Sequence, residues 1–232
     1  EGADFIKVMA TGGVLSEKDR PEYRQFTLEE LRAIVDEARA AKRWVHAHAQ
    51  GKEGILNAVE AGVKVVAHAI YMDEEAAQLA KERDVVVVPT LSIVRRLIEI
   101  GAKVGVPEWG LRKAEEVYQI HLENMRKARR IGVKLATGTD FIGGPFRHGE
   151  NALELKLFVE KLGAAPAEAL ISATRVAAEA AGRRDLGVIA RGYTADIVVV
   201  DGDPLTDINV LLDASKIALV IKEGTVVKNL LR

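Results

Sequence analysis

The sequence predicts an α/β fold built from parallel βα units and closed by a short all-β tail. Three observations carry that expectation. Over the first two-thirds of the chain, short β-branched and apolar runs alternate with helical stretches. Those runs are nearly continuous in apolar character, as in Val85-Val86-Val87-Val88, which is how strands read when helices bury both faces of a sheet. Beyond about Gly182 the helical texture stops, and valine and isoleucine runs follow, separated by turn residues.

Taken in order, Phe5–Met9 reads as the first strand. Leu28–Ala41 follows as a helix, with Thr27 as N-cap and Glu30 three residues on, the spacing of a capping box. Trp44–His48 is the next strand, Ile55–Ala61 a helix ending at Gly62, and Val63–His68 a strand. Helix Glu74–Arg83 and strand Val85–Val88 come next. A long helical region from about Ile93 to Ile131 is interrupted around Gly105-Val106-Pro107. Strand Val133–Ala136 leads into Thr137-Gly138-Thr139-Asp140, and helices near Ala152–Leu162 and Pro166–Ala181 finish the parallel part. In the tail, Asp196–Asp201 and Ile217–Ile221 read as strands, with Glu223-Gly224 turning into Val226-Val227. The expected division is residues 1–182 for the βα part and 183–232 for part of a small β-domain.

Five strands do not close an eight-stranded barrel. An open half-barrel exposes apolar edges, so either preceding sequence or a partner chain is expected to complete it. The abrupt opening at Glu1, a few residues before a core strand, points to a piece of a longer chain.

Composition narrows the function. The 232 residues are 48% apolar and 29% charged, with a net charge of −1 finely mixed along the chain, so no basic footprint for nucleic acid or anionic lipid is present. No apolar run approaches the roughly 20 residues of a membrane span. Cysteine is absent, which excludes disulfides, thiolate metal sites and cysteine nucleophiles. A cytoplasmic location is the default expectation, and a homo-oligomer the expected assembly.

Catalytic groups of parallel barrels sit at the carboxyl ends of strands. His48, His68 and Asp140 lie at or just beyond three such ends, and Lys7 lies inside a fourth strand. Alternation sets Phe5, Lys7 and Met9 on one face and Ile6 and Val8 on the other; if the latter pair faces the helices, Lys7 points into the barrel. A buried, unpaired ammonium is costly. Either a carboxylate pairs with it, or its neutral amine takes up carbon dioxide as a carbamate, an anionic oxygen donor able to bridge two cations.

The motifs Ile6-Lys7-Val8-Met9-Ala10-Thr11-Gly12-Gly13, His46-Ala47-His48-Ala49-Gln50-Gly51, Val66-Ala67-His68 and Ala136-Thr137-Gly138-Thr139-Asp140 resemble the amidohydrolase superfamily, in particular its imidazolonepropionase-like Xaa-Pro dipeptidases (prolidases) and metallocarboxypeptidases. The tail from Arg191 to Leu205 resembles that family's return into its β-sandwich. The resemblance implies a partial (β/α)8 TIM barrel, strands four to eight, with C-terminal strands of the sandwich. It implies Lys7 as a carboxylated bridge between two divalent cations (zinc foremost), His48 and His68 as paired ligands, and Asp140 as ligand and proton shuttle. The family also uses a His-x-His pair on barrel strand one, and no such pair stands upstream of Lys7. Gly51-Lys52-Glu53-Gly54-Ile55 matches the stretch after the strand-five histidine, which favours His48 over His46; His46 is then an interior histidine that supports the ligands from behind.

The implied chemistry is metal-assisted hydrolysis of an amide or peptide bond in a dipeptide, Xaa-Pro foremost, or an N-acyl amino acid. Two cations about 3.5–4 Å apart would activate a bridging water, with Asp140 accepting and returning the proton. Two rivals stand beside it: a non-catalytic fragment or scaffold subunit that needs an N-terminal segment to supply the missing pair, and a mononuclear deaminase-like enzyme, against which Lys7 argues.

Other residues have plainer readings. Lys7 could lie on an edge strand, His68 could be a hydrogen-bonded core residue, and Asp140 could cap a helix. His121 falls mid-helix, in structural or surface use. His148 and Arg147, in the loop after Asp140, are candidate substrate contacts, with Arg147 suited to a carboxylate. Tyr71 and Tyr23 are weaker candidates of that kind. Gly12-Gly13 and Gly143-Gly144 are loop glycines without phosphate-loop spacing.

Overall fold

A computed structural model describes residues 2–141, 143 and 146–231. Glu1 and Gly144, on which two of the sequence readings touch, lie outside them. Strands β1 (Phe5–Met9), β2 (Trp44–Ala49), β3 (Val65–His68), β4 (Val86–Val88) and β5 (Lys134–Leu135) form one parallel sheet in the order β1-β2-β3-β4-β5. Each neighbour in the sheet is a neighbour in sequence, so the sheet winds in one direction, as a barrel segment must. Helices α1 (Leu28–Ala40), α2 (Lys52–Ala61), α3 (Glu74–Glu82), α4 (Leu91–Ile100) and α5 (Glu108–Ile131) fill the crossovers, with a 3-10 turn at Gly101–Val104 before Pro107.

The helices pack on one face of the sheet. Val8, Val45, Ala47, Ala49, Val66 and Val87 bury there against Leu31, Val35, Ile55, Ala58, Ala76 and Met125. Helix starts and stops follow local chemistry. Thr27 accepts from the Glu30 amide while Glu30 reaches back to the Thr27 amide, the expected capping box. Gly62 and Gly132 end α2 and α5 in the left-handed region that glycine enters without strain.

Helix α2 comes unusually close to the first βα loop. A Cβ on Gly54 would lie 2.2 Å from Thr11 Cγ2 and 3.2 Å from the Ala10 carbonyl oxygen. Thr11 cannot swing away, because its Oγ1 accepts the Gln50 amide at 2.9 Å and donates to the Gly12 carbonyl at 2.9 Å. Gly54→Ala would gain about 1 kcal/mol of helix propensity and lose more to overpacking, for a net destabilisation of about 1–2 kcal/mol. Thermal melting should show a fall of several degrees.

Past the sheet come α6 (Ala152–Leu162), α7 (Pro166–Ile171), a π turn at Ser172–Val176, and α8 (Ala177–Ala180). The sequence suggests one continuous helix over this last stretch. The widened turn lies where the Ser172 carbonyl accepts the Thr137 amide at 3.2 Å, tying the helix to the segment leading to Asp140. The following residues Ala177 and Ala180 pack with Val176 on the opposite sheet face, against Val65, Val86 and Ala136.

The tail forms a separate antiparallel sheet of β6 (Ile197–Val200), β7 (Ile217–Lys222) and β8 (Thr225–Asn229), order β6-β7-β8. Glu223 and Gly224 both have positive φ, as a tight hairpin turn requires. Both edges of the five-stranded sheet pair on one side only, and at the β1 edge Phe5 and Met9 are 38% and 51% exposed. Among the described residues no helix is long and apolar enough to cross a membrane.

Candidate active site

The carboxyl ends of the strands converge on a cavity of about 660 Å³. Lys7, His48, His68 and Asp140 all line it, Lys7 from the middle of β1, His48 and His68 from the ends of β2 and β3, and Asp140 from the segment that follows β5. Strand register explains part of this gathering. Lys7 pairs with His46, Met9 with His48, and Ala49 with His68, so successive strands step the side chains toward one mouth. His46 and His48 share the inner face of β2, but His46 lies two residues deeper and does not line the cavity.

The backbone at these strand ends is strained. His68, Ala69, Thr90 and Asp140 all have φ between 53° and 73°, a region that side chains with a Cβ rarely adopt. A left-handed residue reverses the alternation of a strand, and it brings His68 to the cavity although Ala67 occupies the inner face one residue earlier. Strain of this kind clusters at functional sites. Asp140 does not cap a helix; the next one, α6, begins at Ala152.

Hydrogen bonds hold one nitrogen of each of three rings. The His68 Nδ1 bonds Thr90 Oγ1 at 2.8 Å, which leaves Nε2 as the free nitrogen for another partner. The His48 Nε2–H donates to the Gly12 carbonyl at 3.1 Å, and the two histidine rings meet edge to face at 4.5 Å between centroids. His121, which sequence placed in structural or surface use, is 0% exposed and donates from Nε2 to the His68 carbonyl at 2.8 Å. It both supports the His68 backbone and lines the cavity.

The electrostatics follow from desolvation. Lys7 as a residue is exposed at the sheet edge, yet its amine is crowded enough that burial lowers its pKa, partly offset by the nearby Asp140 charge. Burial raises the Asp140 pKa, against the opposing pull of Lys7 and His48. Burial likewise lowers His48, and more strongly His68, where the neighbouring His48 adds to it. His46, beside the Phe5 ring at 5.6 Å, is pushed down to about 4 by burial and then by Lys7. The histidines are therefore neutral near pH 7, the form that binds metals.

The remaining candidates lie elsewhere. Tyr71 donates its hydroxyl to Glu22 at 3.2 Å, and burial raises its pKa to about 12. Arg147 and His148 are exposed, Tyr23 is 56% exposed, and none of these four lines the cavity. Sequence reasoning passed over Thr90 and the fully buried Glu154, whose carboxylate accepts from the Leu91 and Ser92 amides at the start of α4, next to Thr90.

The donor set suits a divalent cation in type: two neutral imidazoles, a carboxylate and an amine held toward its neutral form. Among the described residues, however, no three histidine, aspartate or glutamate side chains gather closely enough to hold an ion by themselves.

The model of the Amidohydrolase family matches residues 1–227. An ochratoxinase from Aspergillus niger is 38% identical over 229 residues, covering 98% of this chain and 47% of that protein. A prolidase crystallised with N-methylphosphonate-L-proline superposes with a TM-score of 0.91 at 41% identity, over 98% of this chain and 55% of its own. A Xaa-Pro dipeptidase with methionine in its active site gives a TM-score of 0.88 at 38% identity, over 98% and 55%. The chain thus spans about half the length of these relatives. By this match it belongs to the amidohydrolase family.

Proposed function

We propose that this chain supplies most of a binuclear metal site that hydrolyses an amide or peptide bond, with Lys7 as a carbamate bridge, His48 and His68 as imidazole ligands and Asp140 as the carboxylate. The observation that carries the reading is that these four side chains, from four separate βα units, line one cavity. Zinc is the favoured ion for a set of nitrogen and oxygen donors without thiolate. Bound ions of this kind lower the pKa of water toward neutrality and polarise a carbonyl.

The chain's own residues do the rest. Burial keeps the Lys7 amine toward the neutral form that can react with carbon dioxide. The Thr90 hydroxyl fixes His68 by Nδ1 and so presents Nε2. For His48 to ligate through Nε2, the ring must release the Gly12 carbonyl. The Asp140 carboxylate takes the proton from the attacking water and returns it to the departing amine, and its raised pKa makes it a stronger base than an ordinary aspartate.

Likeness to the prolidase and dipeptidase structures and to ochratoxinase supports dipeptides, Xaa-Pro foremost, or N-acyl amino acids as substrates. Arg147 and His148, on the loop after Asp140, and Tyr71 lie outside the cavity lining, so the contact proposed for them is with a substrate carboxylate that extends past the cavity mouth. The unpaired β1 edge, with its exposed apolar side chains, supports completion of the sheet by further strands.

The test is hydrolysis by full-length protein loaded with zinc and bicarbonate. Amine should be released from N-acyl amino acids or Xaa-Pro dipeptides, lost on chelation and restored by metal. Inactivity of the loaded protein, or activity indifferent to chelation, overturns the reading. Thr90→Ala should weaken zinc affinity about 10–100-fold in chelator competition, with Thr90→Ser retaining most of it.

A further inference from the structure

Strand β3 ends in an unusual turn. His68 and Ala69 both take left-handed backbone conformations, with φ of 73° and 53°, although neither is glycine. Residues with a Cβ enter that region at a conformational cost, so contacts around the turn must offset it. The conformation also decides where the imidazole goes. Val66 faces the helices and Val65 the opposite sheet face, so plain alternation would send His68 the way of Val66, into the helix layer. The left-handed turn instead brings the ring to the cavity that it lines.

Two buried side chains of α5 hold that turn. His121 donates from Nε2 to the His68 carbonyl at 2.8 Å, and Asn124 donates from Nδ2 to the Ile70 carbonyl at 2.9 Å. They stand three residues apart, on one face of the helix. Both are nearly sealed from solvent, at 0% and 5% exposure. The amides of the turn are held from β2 and the residue after it: Ala69 donates to the Ala49 carbonyl at 3.0 Å, and Tyr71 to the Gln50 carbonyl at 2.8 Å. Packing alone does not account for the two α5 residues. His121 Nδ1 lies in the core without a partner among the described residues, a cost that a phenylalanine of similar shape would not carry. What phenylalanine or leucine would lose is the donor to a carbonyl in a dry interior.

We propose that His121 and Asn124 are positioning residues: by gripping the carbonyls on either side of Ala69, they keep the turn left-handed and aim the His68 imidazole into the cavity. Thr90 then fixes the ring through Nδ1. The consequence for metal binding rests on the hydrolase reading of His68, whereas the grip on the turn is measurable without metal.

Full-length His121→Phe, Asn124→Leu, His121→Gln and Val35→Ala test it, with melting curves to confirm that each is folded. Glutamine sets an N–H where the histidine Nε2–H stands. Val35→Ala opens a core void beside Gly62, at the other end of β3, and controls for lost stability. In chelator competition, zinc affinity should fall about 10–100-fold in His121→Phe and Asn124→Leu, and stay within about threefold of wild type in His121→Gln and Val35→Ala. In metal-free protein, hydrogen exchange of the Ala69 and Tyr71 amides, referred to the amides of α2, should quicken at least about tenfold in the first two variants and not in the others. Unchanged exchange in the first two, an equal effect in Val35→Ala, or no rescue by glutamine overturns the positioning role. If the full-length protein binds no zinc while His121→Phe and Asn124→Leu still loosen the turn, the hydrolase reading fails and the grip stands. If zinc is bound and amides are cleaved but neither variant alters exchange or affinity, the positioning role fails and the hydrolase reading stands.

Discussion

Lys7→Ala is expected to lower kcat/KM for amide hydrolysis by roughly 10³-fold or more, the several kcal/mol that metal-held charge stabilisation supplies. The same variant should lose bound zinc, because the remaining histidines and aspartate do not gather into a three-donor site by themselves. An isolated lysine on an edge strand would give neither effect. A carbamate is an anionic oxygen donor on a long arm, so its removal leaves a space that a small carboxylic acid can fill. Added acetate or propionate should therefore restore part of the zinc content and activity of Lys7→Ala, and leave Lys7→Arg unrescued because the guanidinium occupies that space. Metal analysis alongside steady-state kinetics reads both.

Glu154→Ala is expected to cost about 3–5 kcal/mol of stability. The side chain is 0% exposed, and its carboxylate accepts from the Leu91 amide and the Ser92 amide, each at 2.8 Å, and from the Ser92 hydroxyl. These are orphan donors of the first turn of α4, next to the positive end of the helix dipole. Alanine strands them in a dry interior at about 1–3 kcal/mol each and leaves a void besides. The melting temperature should fall by roughly 10 °C. Because Thr90 immediately precedes this turn and holds His68, zinc affinity should fall too.

Glu154 also carries a pH signature. Burial raises its pKa to about 7, although the Ser92 and Leu91 donors pull the other way. The folded state then holds the proton more tightly than the unfolded chain. Stability from this group is complete below the ordinary carboxyl pKa of about 4.5 and is lost as pH rises through about 7, by roughly 3 kcal/mol in all. Denaturant unfolding of wild type and Glu154→Gln at pH 5 and pH 8 measures it: the neutral glutamine should remove that slope.

The parallel sheet was legible because its signal is local. Val85–Val88, Trp44–His48 and Phe5–Met9 announce themselves as strands, and the ladder follows their order. Lys7, His48, His68 and Asp140 could be singled out because they stand in or just beyond strand-like runs, and the structure lines one cavity with them, whereas the ligand roles came from the family resemblance. Thr90 and Glu154 could not be singled out. In Ala152-Leu153-Glu154-Leu155-Lys156-Leu157 a glutamate reads as the solvent face of a helix, and its partners Leu91 and Ser92 lie more than sixty residues away. His121 was hidden by the same logic, since a histidine at helical spacing says nothing of the carbonyl 53 residues upstream that it meets. The left-handed conformations of His68, Thr90 and Asp140 have no signature either, because no glycine marks them. The π turn at Ser172–Val176 leaves the apolar periodicity nearly intact and so reads as plain helix.

Anomalous diffraction at the zinc edge, from crystals of full-length protein grown with zinc and bicarbonate, would locate the metal. Two anomalous peaks are expected beside a carboxylated Lys7, one reached by His48 and His68 and the other by Asp140. A peak-free cavity, or an unmodified Lys7 amine beside metal held only by other residues, would contradict the proposed binuclear site.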